Sequence, residues 1–253
     1  MLKIDNLSLR IGQKQILSQV SFSLRPQRLT ALVGRNGSGK STLLNCVNQQ
    51  LPYTGSITLD GEDLSRIPPR QRARSIAILP QTMPAPHITA REMVALGRNP
   101  YLDFTGRLQA ADKEAVEAAL AEADARFLAE RYVDTLSGGE KQRISLAMIL
   151  AQNTPIVMLD EPTAHMDLGY EGAFLELLQK LKQEQQKTFL VILHDLSQAV
   201  RYADDLVLLD GGHLIFAGST EECLNRGVIE DTFGLKRYTV PEENGQRIFF
   251  TAR

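Results

Sequence analysis

Leu29-Thr30-Ala31-Leu32-Val33-Gly34-Arg35-Asn36-Gly37-Ser38-Gly39-Lys40-Ser41-Thr42 is the stretch on which the fold turns. Leu29 to Val33 is a short apolar run of the buried-strand kind, and Thr42 to Val47 reads as helix. Between them, Gly34 to Ser41 fits G-x-x-x-x-G-K-[ST]. In such a loop the glycines let consecutive backbone N–H groups turn inward around phosphate oxygens, and the following helix presents its positive end. Gly34, Arg35, Asn36, Gly37, Ser38 and Gly39 form the cradle, with Thr42 just beyond it. Lys40 can reach the β- and γ-phosphates of a nucleotide, and the Ser41 hydroxyl can ligate Mg²⁺. Four fixed positions can match by chance, but strand, loop and helix in this order are the context the chemistry requires.

Working outward, punctuated strands and helices alternate along most of the chain, which predicts an α/β fold with a largely parallel sheet. Leu2 to Leu9 alternates apolar and polar, Gly12-Gln13-Lys14 is a turn, and Ile16 to Leu24 alternates again, an antiparallel edge hairpin. Ser75 to Leu79, Ile156 to Leu159, Phe189 to Leu193 and Leu206 to Leu209 are central-strand candidates. Ile156-Val157-Met158-Leu159-Asp160-Glu161 ends in two carboxylates. An acid at the C-terminal end of a strand beside a phosphate loop can position Mg²⁺, the role assigned to Asp160. Glu161 would point toward the γ-phosphate and polarise an attacking water as general base.

Pro84 to Asn153 differs in character, with Ala110 to Arg126 rich in Ala, Glu and Lys at helical spacing and no good strand candidate. It reads as a helical subdomain, residues 84–153, inserted into an α/β core of residues 1–83 and 154–225. Glu221 to Asn225 is a helical segment. In the tail, residues 226–253, Arg237 to Val240 and Arg247 to Thr251 flank Pro241-Glu242-Glu243-Asn244-Gly245 as a closing hairpin.

The 253 residues are 43% hydrophobic and 23% charged, which excludes disordered, collagen-like and small disulfide-stapled classes. A net charge of −2 gives no reason to expect nucleic-acid binding. No apolar window is long enough to span a bilayer, and Met1 to Arg10 carries no signal core, so the chain is expected to stay where it is made. Cys46 and Cys223, far apart, read as buried thiols of a reducing compartment. His87, His165 and His213 fit no metal pattern and read as surface residues in loops or turns, and the charges from Ala110 to Arg131 read as solvated helix faces.

Leu136-Ser137-Gly138-Gly139-Glu140-Lys141-Gln142-Arg143 narrows the reading. Ser137, Gly138 and Gly139 expose backbone N–H groups at the start of a helix running to Ala151, a second anion site. With this octet the sequence resembles the ATP-binding-cassette superfamily, whose signature is LSGGQ; Glu140 stands at the fifth position. The resemblance covers Met1 to about Asn225. It implies a P-loop NTPase (RecA-like) core with an antiparallel β edge subdomain and an inserted α-helical subdomain, within one ATPase domain. It assigns Gln81 to the loop that contacts Mg²⁺ or water, Asp167 to the loop that crosses to a partner's site, and His194 to sensing the γ-phosphate.

The resemblance also implies a mechanism. Two ATPase subunits, as a homodimer or a pair, pack head to tail, so that Ser137 of one copy meets ATP bound by Lys40 of the other. ATP closes this interface and hydrolysis opens it. Work passes to separate integral-membrane permease subunits that dock on the helical subdomain near Ala90 to Leu96, and a substrate-binding protein acts indirectly. That places the chain peripherally on the cytoplasmic face of a bacterial inner membrane. Leu96-Gly97-Arg98-Asn99-Pro100-Tyr101, Gly106-Arg107-Leu108 and Leu193-His194-Asp195-Leu196-Ser197-Gln198-Ala199 are similar to the importers of iron–siderophore complexes, haem and cobalamin. Another importer, an exporter subunit and a non-transport member of the superfamily are the alternatives. One departure stands out: Ile11 occupies the position where most members stack an aromatic ring on adenine, with Arg10 beside it as a substitute.

Overall fold

Two long N-terminal strands, β1 (Leu2–Ile11) and β2 (Lys14–Ser23), pair antiparallel around the turn at Gly12 and Gln13. Lys14, expected in the turn, already belongs to β2. Strict alternation would carry Leu7 and Leu9 to the opposite face from Leu2 and Ile4. A register shift between Ile4 and Leu7, with Asn6 at φ 50°, brings all four into the core. The computed structural model describes residues 1–163, 168–242 and 245–252. The chain divides into two units, Met1–Arg66 with Leu178–Arg253, and Ile67–Leu177.

In the first unit β3 (Leu29–Gly34) leads through the glycine loop into α1 (Lys40–Val47). β4 (Thr54–Leu59), a strand absent from the sequence reading, pairs with β1, and the short β5 (Glu62–Asp63) pairs with β4. In the second unit α2 (Pro69–Ser75) opens with proline at its first position and precedes β6 (Ile76–Leu79). Ser75 therefore ends a helix instead of starting a strand; its hydroxyl donates back to the Gln71 carbonyl. Four strand residues were too few to show where the helix stops. The helices α3 (Ala90–Ala95), α4 (Ala110–Glu122) and α5 (Gly138–Ala151) pack together. The expected helix from Ala110 ends at Glu122, and Arg126–Leu128 is a 3-10 turn. β7 (Ile156–Asp160) pairs parallel with β6, and α6 (Leu168–Gln185) is divided between the units.

The first unit resumes with β8 (Thr188–Ile192), α7 (Leu196–Tyr202), β9 (Asp205–Asp210) and β10 (His213–Ser219). His213 thus sits in a strand paired with Asp210, not in a turn, though it is exposed. Then come α8 (Thr220–Asn225), α9 (Val228–Phe233), and the hairpin β11 (Leu235–Glu242) and β12 (Gly245–Ala252). The strand order within this unit is β5-β4-β1-β2-β10-β9-β3-β8, parallel at β9-β3-β8 and antiparallel at the β1-β2-β4 end. β3 is buried from Leu29 to Val33 and β8 along its whole length, mostly by apolar residues, because both faces of a parallel sheet are covered. Each Leu or Val so buried contributes about 1.5–3 kcal/mol of transfer free energy. Among the described residues, no helix is long and apolar enough to cross a membrane.

Cys46 and Cys223 are free and buried, and burial pushes their thiols up to about 11 and about 12.

Candidate functional site

β3 and β8 are parallel neighbours, so the glycine loop after β3 and His194 after β8 leave the sheet at the same end. Loops at the C-terminal ends of adjacent parallel strands are where open α/β sheets bind ligands. At Gly34 the backbone approaches β9 so closely that a Cβ would lie 2.2 Å from the Leu209 carbonyl oxygen. Gly39 sits at φ +99° as the N-cap of α1, and a Cβ there would lie 2.6 Å from Leu17 Cδ2. Only glycine fits either position, and the cradle keeps its space for that reason.

Lys40 is 5% exposed, with Nζ donating to the Gly34 and Arg35 carbonyls at 2.8 and 3.2 Å. Those bonds curl the ammonium into the loop. Ser38 is 2% exposed, and its hydroxyl is buried without a hydrogen-bond partner among the described residues. A buried hydroxyl left unmatched costs free energy that an acceptor would recover. The first turn of α1 holds no acidic residue and its N-cap makes no side-chain hydrogen bond, an arrangement in which the positive end of the helix favours an anion. Ser41 and Thr42 stand half-buried in that turn, and Asn36 and Gly37 are exposed. The donor set and the vacant Cβ space fit a phosphate chain. His194 is exposed just before α7, whose N-cap Asp195 accepts from the Ser197 and Gln198 N–H groups at 2.7 and 3.2 Å.

The second unit repeats the logic with β6 and β7. They too are parallel, pairing Leu79 with Leu159, so Gln81 and Glu161 emerge at one end. Gln81 Nε2 donates to Glu161 Oε2 at 2.6 Å. Glu161 holds φ 51°, a left-handed conformation that side chains rarely adopt and that is found concentrated at working sites. Asp160, the last residue of β7, is 7% exposed. Asp167 lies outside the described residues.

Ser137 is the N-cap of α5 and Gly138 and Gly139 form its first turn. The Ser137 hydroxyl accepts from Glu140 N–H at 3.4 Å, and the Glu140 carboxylate accepts from Ser137 N–H at 2.8 Å, a closed capping box. The Ser137 N–H bond holds the Glu140 carboxyl below the usual carboxylate range, and Arg131 pairs with it at 2.7 Å. The fifth signature residue is therefore a neutralised cap, readable in advance from its S-x-x-E spacing. His87 stacks on Tyr132 with centroids 4.2 Å apart and pairs with Asp134 at 2.9 Å, three residues before Ser137.

The charges of α4 are not all solvated. Asp112 is buried and accepts from Arg98 Nε at 2.9 Å. No local spacing announces a pair 14 residues apart, which explains why the sequence did not reveal it. Ile11 is 55% exposed, and Arg10 Nη2 donates across the turn to the Gln13 carbonyl at 3.3 Å.

Comparison with known proteins adds a family context to this geometry. The family described as ABC transporter matches residues 17–164. The achromobactin transport ATP-binding protein CbrD of Dickeya dadantii is 39% identical, over 93% of this chain and 88% of its own. The hemin import ATP-binding protein HmuV of Plesiomonas shigelloides is 41% identical, over 90% of this chain and 92% of its own. Among solved structures, an ABC transporter in an inward-facing conformation superposes with a TM-score of 0.86 at 26% identity, covering 99% of this chain and 96% of that one.

Proposed function

Because the chain belongs to the ABC transporter family, as an ATP-binding, ATP-hydrolysing subunit, we propose that it drives import of an iron–siderophore complex or a related chelate such as haem or cobalamin. The observation that carries this reading is the likeness to siderophore and hemin transport subunits over 90% or more of the chain. Permease subunits would dock on the helical subdomain near Ala90 to Leu96.

In this reading the loop Gly34–Ser41 takes the phosphates of ATP and Lys40 leaves its carbonyls for the β- and γ-phosphates. Ser41 and Asp160 would hold Mg²⁺, with Gln81 near its water shell; most other ligands come from phosphate and water. When bound, the ion supplies charge neutralisation on the phosphoryl oxygens. Glu161 takes the proton of the attacking water, and Gln81 orients its carboxylate. His194 donates a hydrogen bond toward the γ-phosphate. Ser137, Gly138 and Gly139 serve the nucleotide of a second ATPase subunit, and Asp167 takes the role of the acid that serves that subunit's site. The pair would sit on the cytoplasmic face of the membrane against permease subunits, fed by a substrate-binding protein.

Uptake of radiolabelled ferric siderophore, haem and cobalamin in cells deleted for this gene tests the proposal. Loss of one of these uptakes, restored by the intact gene and not by Lys40→Ala, is the expected result. Retention of all three, with loss of an unrelated cargo's uptake, would remove the chelate assignment while leaving the family intact.

A further inference from the structure

Arg35 occupies the first variable position of the phosphate loop, and its side chain reaches the C-terminal tail and the end of β9. Nη2 donates to the Thr232 carbonyl at 3.0 Å, and Nε lies 4.0 Å from Asp210 Oδ1 at the end of β9. Thr232 belongs to the last turn of α9, where carbonyls lack helical partners and the helix dipole favours a cation. α9 is itself fixed. Ile229 is fully buried, and Arg237 of β11 both donates to the Leu224 carbonyl at 2.8 Å and pairs with Glu230 at 3.2 Å. The other strand of that hairpin, β12, packs on α7, the helix whose N-cap directly follows His194. One C-terminal tail therefore touches both the phosphate loop and the helix behind the switch histidine.

We infer that Arg35 is a positioning residue that ties the phosphate loop to the C-terminal tail, with the Arg237–Glu230 pair as the remote latch. The inference rests on the nucleotide-binding reading of Gly34–Ser41. A loop held in its binding shape loses its ordering entropy before ATP arrives, so affinity rises without a new contact to the nucleotide. Such a device acts on ground state and transition state alike, moving KM and leaving kcat.

The test uses the full-length chain, titrated with a fluorescent ATP analogue and Mg²⁺, beside steady-state hydrolysis. Arg35→Ala should weaken affinity and raise KM about three- to tenfold at unchanged kcat, the scale of one lost hydrogen bond. Arg35→Lys, whose ammonium still reaches a carbonyl, should recover most of the loss. Arg237→Ala, remote from the loop, should reproduce part of it, and the double variant should be no worse than Arg35→Ala alone. Unchanged affinity in Arg35→Ala overturns the inference. So does an Arg237→Ala variant that binds like the parent, or whose effect adds fully to that of Arg35→Ala, because the tail then plays no part. If Arg35→Ala does not fold, the Lys and Arg237→Ala variants decide alone. A parent that binds no nucleotide would refute the nucleotide reading itself, a different outcome.

Discussion

Replacing Asp112 by alanine strips a buried guanidinium of its counter-charge. The Arg98 and Asp112 side chains are 9% and 8% exposed. Asp112 accepts from Arg98 Nε at 2.9 Å and from Gln109 N–H at 3.0 Å, joining the 3-10 turn Leu96–Arg98 after α3 to the start of α4. In Asp112→Ala, Arg98 keeps its bond to the Ala151 carbonyl at 2.8 Å and its stack on Tyr101 at 3.9 Å, neither of which supplies a negative charge. Breaking such a pair from one side costs about 3–5 kcal/mol, because the surviving charge stays buried. Asp112→Asn keeps an oxygen for Arg98 and should cost about 1–2 kcal/mol. Against a total stability of about 5–15 kcal/mol, the alanine variant loses a large share. Hydrogen exchange reads the effect locally. Amides of α4 and α5 should exchange about 10²- to 10³-fold faster in Asp112→Ala, since each 1.4 kcal/mol is tenfold. Exchange within about fivefold of the parent, or an Asn variant as damaged as the Ala variant, would refute the buried-charge argument.

Ser137→Arg should abolish ATP-dependent dimerisation, seen by size exclusion, while the monomer's affinity for a fluorescent ATP analogue stays intact; equal loss of monomer affinity would place Ser137 at its own subunit's nucleotide. The same substitution removes the α5 cap, so a loss of about 1 kcal/mol in stability should accompany it. Ile11→Tyr should tighten ATP binding several-fold and widen the margin over GTP, since stacking a base on a ring is worth about 1–3 kcal/mol; a parent already strongly selective, and unchanged by the substitution, would mean the base is held elsewhere.

The strands and loops that carry phosphate chemistry were legible because their signals are short and local. The apolar run Leu29–Val33, the fixed glycines and Lys40 lie within one strand–turn–helix unit, and the structure reproduces it with boundaries shifted by two residues or fewer. The N-terminal hairpin was legible from alternation around Gly12 and the C-terminal one from the turn-forming residues Pro241 to Gly245, although Pro241, Glu242 and Gly245 belong to its paired strands, which run two residues longer towards the turn than expected. What the sequence concealed depends on long-range partners. Arg98 and Asp112 meet across 14 residues, and Arg35 meets Thr232 across 197, with no periodicity linking either pair. α2 and α9, of seven and six residues, are too short for a helical stripe to register, and β4 opens on Thr54 and Gly55, where a glycine weakens the strand signal. The contact of Gln81 with Glu161 follows from the parallel pairing of β6 with β7, which the sequence predicts as strands without predicting as neighbours.

The central claim, that this chain hydrolyses ATP with Glu161 as the base, is tested most directly by the turnover of Glu161→Gln. Gln81 donates Nε2 to Glu161 Oε2, and the amide that replaces the carboxylate still offers an oxygen there, so the local geometry survives the change. What is lost is the capacity to take a proton from water. Turnover should fall about 10²- to 10⁴-fold while ATP affinity stays within about threefold of the parent, with an ATP-bound dimer accumulating. A Glu161→Gln protein that hydrolyses ATP at near the parent's rate would contradict the account.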